Sequence, residues 1–474
     1  MRDKRQFPRL VSPPGATSQV PLPSPAAGST GTNADHLDLV PFSEDALAAL
    51  FGDRYKHEFR FVDRWGRWLW YDGHVWREDV TRKVISLIRS ICRHESSKIN
   101  DDDNRDRRTL NASHTFNAVQ TICRSDRRLV AITEQWDEDT WGLNTRAGMV
   151  DLRTGELQDH HFEQFATKIT SVSPMPECPI EVFLRFLERI TDKNLELQKF
   201  LQRMGGYCLT GQTSEHALFF LYGTGANGKS TFLNVLTGIM ADYCRSAPME
   251  TFVATSGDRH PTDMAGLRGA RLVTATETQE GRRWDEAKVK ALTGGDAISA
   301  RFMRQDFFDF KPQFKLVVSG NHKPSIRSVD EAIRRRFHLV PFTVTIPPNE
   351  RDPDLGKKLE HEWPGILHWL IEGCLEWQRT GLAPPPVVRQ ATEEYLMAED
   401  STQAWMDDVG TRDVNAWEPS ADLWMSWESW AKRSGEHVGS RKQFAQALDR
   451  VGLAPGRSSD WKQRGYRGLR LTRG

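Results

Sequence analysis

The alternation of apolar and polar positions divides the chain into a featureless start and a long patterned remainder. Residues 1–38 carry no apolar period and are rich in Pro, Ser, Gly and Thr, with Pro13-Pro14-Gly15, Pro21, Pro23 and Pro25. Such a segment buries too little apolar surface to offset the entropy of ordering it, and it reads as a disordered tail. The pattern starts near residue 40. Pro41-Phe42-Ser43-Glu44-Asp45 leads into Ala46-Leu47-Ala48-Ala49-Leu50-Phe51, a short helix with acids in its first turn. An aromatic run over 59–70 is followed by Tyr71-Asp72-Gly73-His74-Val75-Trp76, and Asp-Gly between aromatic runs predicts a hairpin. Val84, Leu87, Ile88 and Ile91 recur at helical spacing. Residues 144–157 hold short strand-like pieces broken by Gly148 and Thr154-Gly155. Phe183-Leu184, Phe186-Leu187 and Ile190 open a helical stretch that runs on towards Met204. Between 217 and 342 strand and helix patterns alternate, the signature of an α/β module. Pro347-Pro348 and Pro384-Pro385-Pro386 punctuate the segment after that module.

A small unit closes the chain. Leu423, Trp424, Trp427, Trp430 and Ala431 give one apolar helix face. Ser440-Arg441-Lys442-Gln443 has the capping-box form and opens a second helix through Phe444, Ala447 and Leu448. Residues 461–471 read as a two-stranded wing.

Composition narrows the classes. At roughly 150 residues per domain, 474 residues suggest about three domains. Lys plus Arg and Asp plus Glu both total 64, which argues against a uniformly basic nucleic-acid coat. The neutrality is segregated: residues 431–474 hold eleven bases and three acids, a net of +8, so the rest of the chain carries −8. A local nucleic-acid contact is compatible with that balance. No run of about eighteen apolar residues indicates a membrane span. Met1-Arg2-Asp3-Lys4-Arg5-Gln6-Phe7 is not followed by the apolar core of a secretory signal. The six cysteines lie at least 30 positions apart, so neither a C-x-x-C metal pair nor a disulfide framework is present, and a cytoplasmic setting is the expectation.

The sharpest chemistry is at Gly223-Thr224-Gly225-Ala226-Asn227-Gly228-Lys229-Ser230, which fits G-x-x-x-x-G-K-[ST]. A buried-strand run, 217–222, precedes it, and Phe232, Leu233, Val235, Leu236, Ile239 and Met240 give a helix after it. Glycines let backbone N–H groups wrap phosphates at a helix N-terminus, Lys229 adds a point charge, and Ser230 offers a hydroxyl to Mg²⁺. The loop also matches G-x-G-x-x-G, but Lys-Ser after the last glycine decides for a nucleoside triphosphate. Further on, 271–276 is a strand ending at Glu277, an acid placed to orient Mg²⁺ and water, with Glu280 as a second candidate. The strand 314–319 ends at Gly320-Asn321-His322-Lys323-Pro324, where Asn321 can contact the γ-phosphate or attacking water. Arg334-Arg335-Arg336 then suits an arginine finger that reaches a neighbouring subunit's nucleotide.

This order and spacing resemble superfamily 3 helicases of the AAA+ class, and more narrowly the phage and plasmid primase-helicase family that includes the poxvirus primase-helicases. The resemblance runs over about 41–474. Its matching phrases are Leu143-Asn144-Thr145, Gly148-Met149-Val150-Asp151-Leu152, Thr154-Gly155-Glu156, Gly206-Tyr207, Leu209-Thr210-Gly211, residues 222–231, residues 290–301, residues 321–324 and Arg335-Arg336. The implied fold is α/β: an AAA+ P-loop core over 181–345, an N-terminal α+β helicase-associated domain over 39–180, a helical extension over 346–399, and a basic winged-helix-like domain over 400–474. The implied activity is that of a ring-forming, usually hexameric, ATP- and Mg²⁺-dependent translocase on single-stranded and forked DNA, moving 3′ to 5′ and working with other replication proteins. Gly223, Thr224, Gly225, Ala226, Asn227, Gly228, Lys229, Ser230 and Thr231 would cradle the nucleotide. Lys229, Glu277, Asn321, Arg335 and Arg336 would catalyse hydrolysis, with Arg336 as first choice for the finger, and Ser230 and Glu277 would hold the metal. The segment after Gly294-Gly295-Asp296 corresponds to the family's pore hairpin, so Arg301, Arg304 and Lys311 become the residues that grip DNA.

Two other functions compete. The basic end suits an origin-binding initiator that uses ATP to assemble. Asp101-x-Asp103 with His114 superficially resembles the acidic site of a primase, but the run sits in a hydrophilic loop and no further catalytic domain is expected before residue 41. The N-terminal Trp65, Trp68, Trp70 and Trp76 read as hairpin core rather than as a base-stacking platform.

Overall fold

The computed structural model describes residues 39–472 apart from 101–102, 255–261, 278–281, 303–305, 327–328, 399–400, 437 and 458–462. The expected tail over 1–38, and the candidates Asp101, Glu280 and Arg304, lie outside the described residues.

The N-terminal region starts with α1 (Glu44–Tyr55), whose Ser43 hydroxyl accepts from the Ala46 N–H as an N-cap. The aromatic run that reads as one strand is two: β1 (Phe59–Val62) and β2 (Arg67–Tyr71), folded back at Gly66, whose φ of 63° is left-handed. The Asp-Gly hairpin forms as expected between β2 and β3 (Trp76–Glu78). Helices α2 (Lys83–Ser96), α3 (Asn104–Leu110) and α4 (Ser113–Cys123) complete this part. Trp68 and Trp76 are buried, so these rings fill the core and offer no open stacking surface. A second small sheet comes next, β4 (Gly142–Thr145), β5 (Gly148–Asp151) and β6 (Glu156–Gln158).

The helical stretch read over 183–204 is broken into α5 (Glu181–Ile190) and α6 (Leu195–Leu209), with Asp192 and Lys193 left-handed between them. The Glu362 carboxylate accepts from the Val182 and Phe183 N–H groups at 2.9 and 2.7 Å and so caps α5 from across the fold.

The central module is β7 (Leu218–Tyr222), α7 (Lys229–Met240), β8 (Cys244–Ser246), α8 (Thr262–Ala265), β9 (Leu272–Glu277), α9 (Glu286–Gly294), the ribbon β10 (Ile298–Ala300) with β11 (Phe308–Phe310), then β12 (Lys315–Gly320), α10 (Glu331–Arg334) and β13 (Phe337–Pro341). Five of these strands form one parallel sheet in the order β13-β7-β12-β9-β8. Strand β12 therefore lies between the strand that feeds the phosphate loop and the strand that ends in Glu277. Both faces are covered, which is why β7 and the centre of β12, Leu316-Val317-Val318, are apolar.

Helix α11 (Leu355–Thr380) packs on α6 at glycines. A Cβ on Gly206 would stand 2.1 Å from the Cys374 nitrogen, and one on Gly373 would stand 2.2 Å from the Gln202 carbonyl oxygen. Beyond the C-terminus of α6, two buried cations sit among carbonyl oxygens that include those of Leu209 and the C-cap Thr210. Arg271 donates to the oxygens of Leu209 (2.8 Å), Gly142 (2.7 Å) and Asp139 (2.9 Å), and Lys315 donates to those of Thr210, Gln212 and Gln313. Burial without a carboxylate pushes the Lys315 ammonium down to about 7. The negative end of the helix dipole supports both charges.

Helix α12 (Pro386–Ala398) leads to the C-terminal unit: α13 (Ser401–Val409), β14 (Gly410–Pro419), α14 (Ser420–Ser434), α15 (Arg441–Arg450), β15 (Ala454–Arg457) and β16 (Arg464–Leu471). Its sheet has three strands, in the order β14-β16-β15, where the sequence predicts two. Trp405, Leu423, Trp427, Phe444, Leu448 and Leu469 form its separate core. No helix among the described residues is long and apolar enough to cross a membrane.

Candidate functional site

The sheet register assembles the site. Tyr222, Gly320 and Glu277 lie side by side at the C-terminal ends of three adjacent strands, since Gly320 is paired with Tyr222 on one side and with Glu277 on the other. The next residues after two of these strands are Gly223 and Asn321. Ligands of parallel α/β sheets bind outside the carboxyl ends of the strands.

The loop after β7 is folded around Asn227. Its side-chain amide donates to the oxygens of Thr224 (2.5 Å) and Phe342 (2.8 Å), so the loop is stitched to the segment after β13. Gly223 is required here: its φ is 151°, and a Cβ would stand 2.0 Å from the Phe342 oxygen. Gly228 is the N-cap of α7 and Lys229 its first residue, which points the unsatisfied N–H groups of the helix at the loop. Thr224, Gly225, Ala226 and Ser230 are exposed, and Thr231 is half-buried.

Lys229 is buried. Its ammonium donates to the Gly223 oxygen (2.5 Å) and to Asn321 Oδ1 (3.2 Å). Burial lowers its pKa. A phosphate anion beside it would favour the charged form, so the arrangement is prepared for an anion. The structure thus brings the loop, Lys229 and Asn321 into one cradle, with the Glu277 position two strands from β7.

The structure separates the three arginines. Arg336 is buried; its guanidinium donates to Thr293 Oγ1 (3.0 Å) on α9 and to the Ala332 oxygen (2.7 Å). Burial, then the neighbouring Arg335, lowers its pKa. Held in this way it braces α10 against α9. Arg335 is exposed and its guanidinium has no hydrogen-bond partner among the described residues. Of the two arginines named for a finger, Arg335 is thus the exposed one and Arg336 the buried one.

The predicted pore hairpin is an antiparallel ribbon, with Ile298 opposite Phe310 and Ala300 opposite Phe308. Arg301 lies over the Phe307 ring at 4.8 Å, Phe302 stacks on Phe308, and Lys311 is exposed after the ribbon. Of the candidates for a primase site, Asp103 stands at the N-cap of α3 and His114 is exposed.

Sequence reasoning missed the clamp on the Asn321 loop. The Lys323 ammonium lies 4.4 Å above the Tyr222 ring and 5.6 Å above the Tyr395 ring. The Tyr395 hydroxyl donates to the Pro324 oxygen and accepts from Trp284 Nε1 at 3.1 Å. Helix α12 also touches β13, where Thr392 Oγ1 accepts from the Leu339 N–H at 2.9 Å. No local pattern marks Tyr395; its partners are 71 and 111 positions away.

A phosphate-binding loop on a five-stranded parallel sheet places the molecule among P-loop proteins. Comparison with known proteins is narrower. Residues 48–192 match the family described as D5 N terminal like, and residues 221–336 match a family of unknown function, DUF5906. The chain thus joins a region of the D5 N terminal like family to a DUF5906 region, the combination of a D5-type protein. A protein of Acanthamoeba polyphaga mimivirus, L207/L206, provisionally named a helicase, is 25% identical over 82% of this chain and 46% of its own length. Protein 022R of Frog virus 3, also provisionally named a helicase, is 24% identical over 53% of this chain and 28% of its own. The protein named Primase D5 of Fowlpox virus is 25% identical over 32% of this chain and 20% of its own. The chain therefore spans less than half the length of each of these relatives. An apo structure of the NrS-1 C terminal region aligns with 90% of this chain and 99% of its own, at 10% identity and a TM-score of 0.49.

Proposed function

We propose that this chain is an ATP-hydrolysing DNA helicase of a phage, plasmid or prophage replication system, working as a ring, most simply a hexamer, on single-stranded and forked DNA. The observation that carries the reading is the Lys229 ammonium bridging Gly223 and Asn321 at the strand ends beside the Glu277 position. In this reading residues 223–231 hold the triphosphate, and Asn321 orients the γ-phosphate or attacking water. Ser230, whose hydroxyl side chain is exposed at the loop, and Glu277 would hold Mg²⁺, which neutralises phosphate charge when bound. Arg335 completes the neighbour's site, so hydrolysis depends on assembly. Arg301, Arg304 and Lys311 grip the strand through its phosphates, without reading bases.

The basic C-terminal unit favours a second reading, an ATP-switched initiator that recruits another motor. Strand displacement on forks with opposite-polarity tails separates the two. We expect ATP-dependent displacement, with the 3′-tailed strand as track. An assembled protein that hydrolyses ATP on single strands and displaces neither would sink the helicase reading in favour of the initiator.

The clamp gives a more local prediction. Tyr395→Phe keeps the ring and removes two hydrogen bonds, at about 1–2 kcal/mol of stability. If the hydroxyl sets the position of Asn321, kcat for ATP hydrolysis falls about three- to tenfold while KM for ATP holds. An unchanged kcat in the variant would mean that Tyr395 supports the fold alone.

A further inference from the structure

The C-terminal unit carries a charge arrangement that the proposed motor does not use. In the β15–β16 pair, Arg457 lies directly opposite Arg464, and Ala454 opposite Arg467. Directly opposed residues of an antiparallel pair share a face, and like charges there destabilise the sheet. Arg457, Arg464 and Arg467 are all exposed, and none has a carboxylate partner among the described residues. Elsewhere in the same sheet the arginines are satisfied: Arg470 pairs with Asp413 at 2.7 Å, and Arg412 donates to the Val451 oxygen. Among the described residues of this sheet, the arginines without such a partner are thus those of the β15–β16 hairpin, with the opposed pair Arg457 and Arg464 at its loop end.

That hairpin end is aligned with a helix. Tyr466, two residues from Arg464 and on the same face of β16, donates from its hydroxyl to the Ala445 oxygen of α15 at 3.5 Å. Arg457 and Arg464 therefore project on the side of the sheet where α15 packs. Helix α15 itself starts with exposed Arg441 and Lys442, and the Arg441 guanidinium rests over the half-buried Trp424 ring at 5.7 Å.

We propose that the Arg457–Arg464 pair and the Arg441–Lys442 end of α15 bind the phosphate backbone of duplex DNA. The guanidinium fork matches a phosphate bidentately, and a polyanion removes the repulsion that the cross-strand pair imposes. A helix beside a two-stranded ribbon fits a duplex, whose major groove admits either element. A protein partner fits less well, since stable protein interfaces need an apolar centre. The strongly exposed apolar side chains of this unit, Val414 and Met425, belong to β14 and α14, not to this surface.

The site deepens the helicase reading by naming where the unopened duplex is held, but its test needs no hydrolysis. Binding of the full chain, without nucleotide, is measured on a labelled blunt duplex and on a labelled single strand across a salt series. The Arg457→Ala/Arg464→Ala double variant should bind duplex about tenfold or more weakly at low salt, with a log–log salt slope shallower by about two. Its single-strand affinity and Tm should not fall, because removing opposed like charges does not harm the fold. Arg470→Ala, which removes the already paired arginine, should behave as wild type. Unchanged duplex affinity and slope in the double variant would overturn the proposal, as would wild-type protein that binds polyglutamate as tightly as duplex. A protein that shows the expected loss but never displaces a strand keeps this site and loses the helicase reading.

Discussion

Lys229→Ala should abolish nucleotide turnover while leaving the fold in place. The ammonium is buried, and its two acceptors are the Gly223 oxygen and Asn321 Oδ1. Both acceptors sit beside the exposed loop, so water can replace the lost donor. Burial lowers the pKa of the group, so its removal relieves a desolvation cost as well as deleting contacts. The consequence falls on the bound triphosphate, which loses a preorganised positive charge aimed at its leaving end. Losing one such electrostatic contact costs about 10²–10³ in kcat. Single-strand-stimulated ATPase of the variant should therefore fall by about that factor, with thermal unfolding close to wild type. A variant that keeps wild-type turnover would remove Lys229 from the site, and one that fails to fold would show that the ammonium serves the loop rather than the substrate.

How much of the fold and site was legible in the sequence depends on the range of the interactions. The phosphate loop was legible because its requirements are local: a glycine that accepts φ 151°, an N-cap glycine and a lysine at the first helical position all lie within seven residues. The flanking strands were legible because a parallel sheet covered on both faces needs continuous apolar runs. What the sequence hid was long-range. Arg334, Arg335 and Arg336 are equivalent as text; burial of the third is decided by Thr293, 43 positions away. Lys315 reads as a polar interruption at the start of a strand, and only the carbonyls at the end of α6 explain it. Strand β14 was invisible because only Ala416 and Glu418 are buried along its ten residues, and it owes its existence to pairing with β16. The break between β1 and β2 was masked by aromatic residues on both sides of Gly66.

The three-arginine run yields the largest expected effect, because its two principal members should fail in different ways. Arg336→Ala leaves Thr293 Oγ1 and the Ala332 oxygen without their buried donor, at about 1–3 kcal/mol of stability, and should lower the Tm of the unassembled chain. Arg335→Ala removes an exposed guanidinium with no hydrogen-bond partner among the described residues, so its Tm should match wild type. If that guanidinium serves a neighbour's nucleotide, the assembled ATPase should fall by about 10³ or more, the range of a lost arginine finger. A mixing experiment isolates the in-trans step. Arg335→Ala subunits keep Lys229 and Asn321, whereas Lys229→Ala subunits keep Arg335. Neither turns over alone, but in a random equal mixture about a quarter of the interfaces join an intact loop to an intact finger, and ATPase should reappear in proportion. Recovery requires that the two residues act across a subunit boundary. A mixture as inactive as its components would place Arg335 outside the neighbour's site, and if Arg336→Ala in the same mixture recovers turnover, the finger is Arg336, released from Thr293 on assembly.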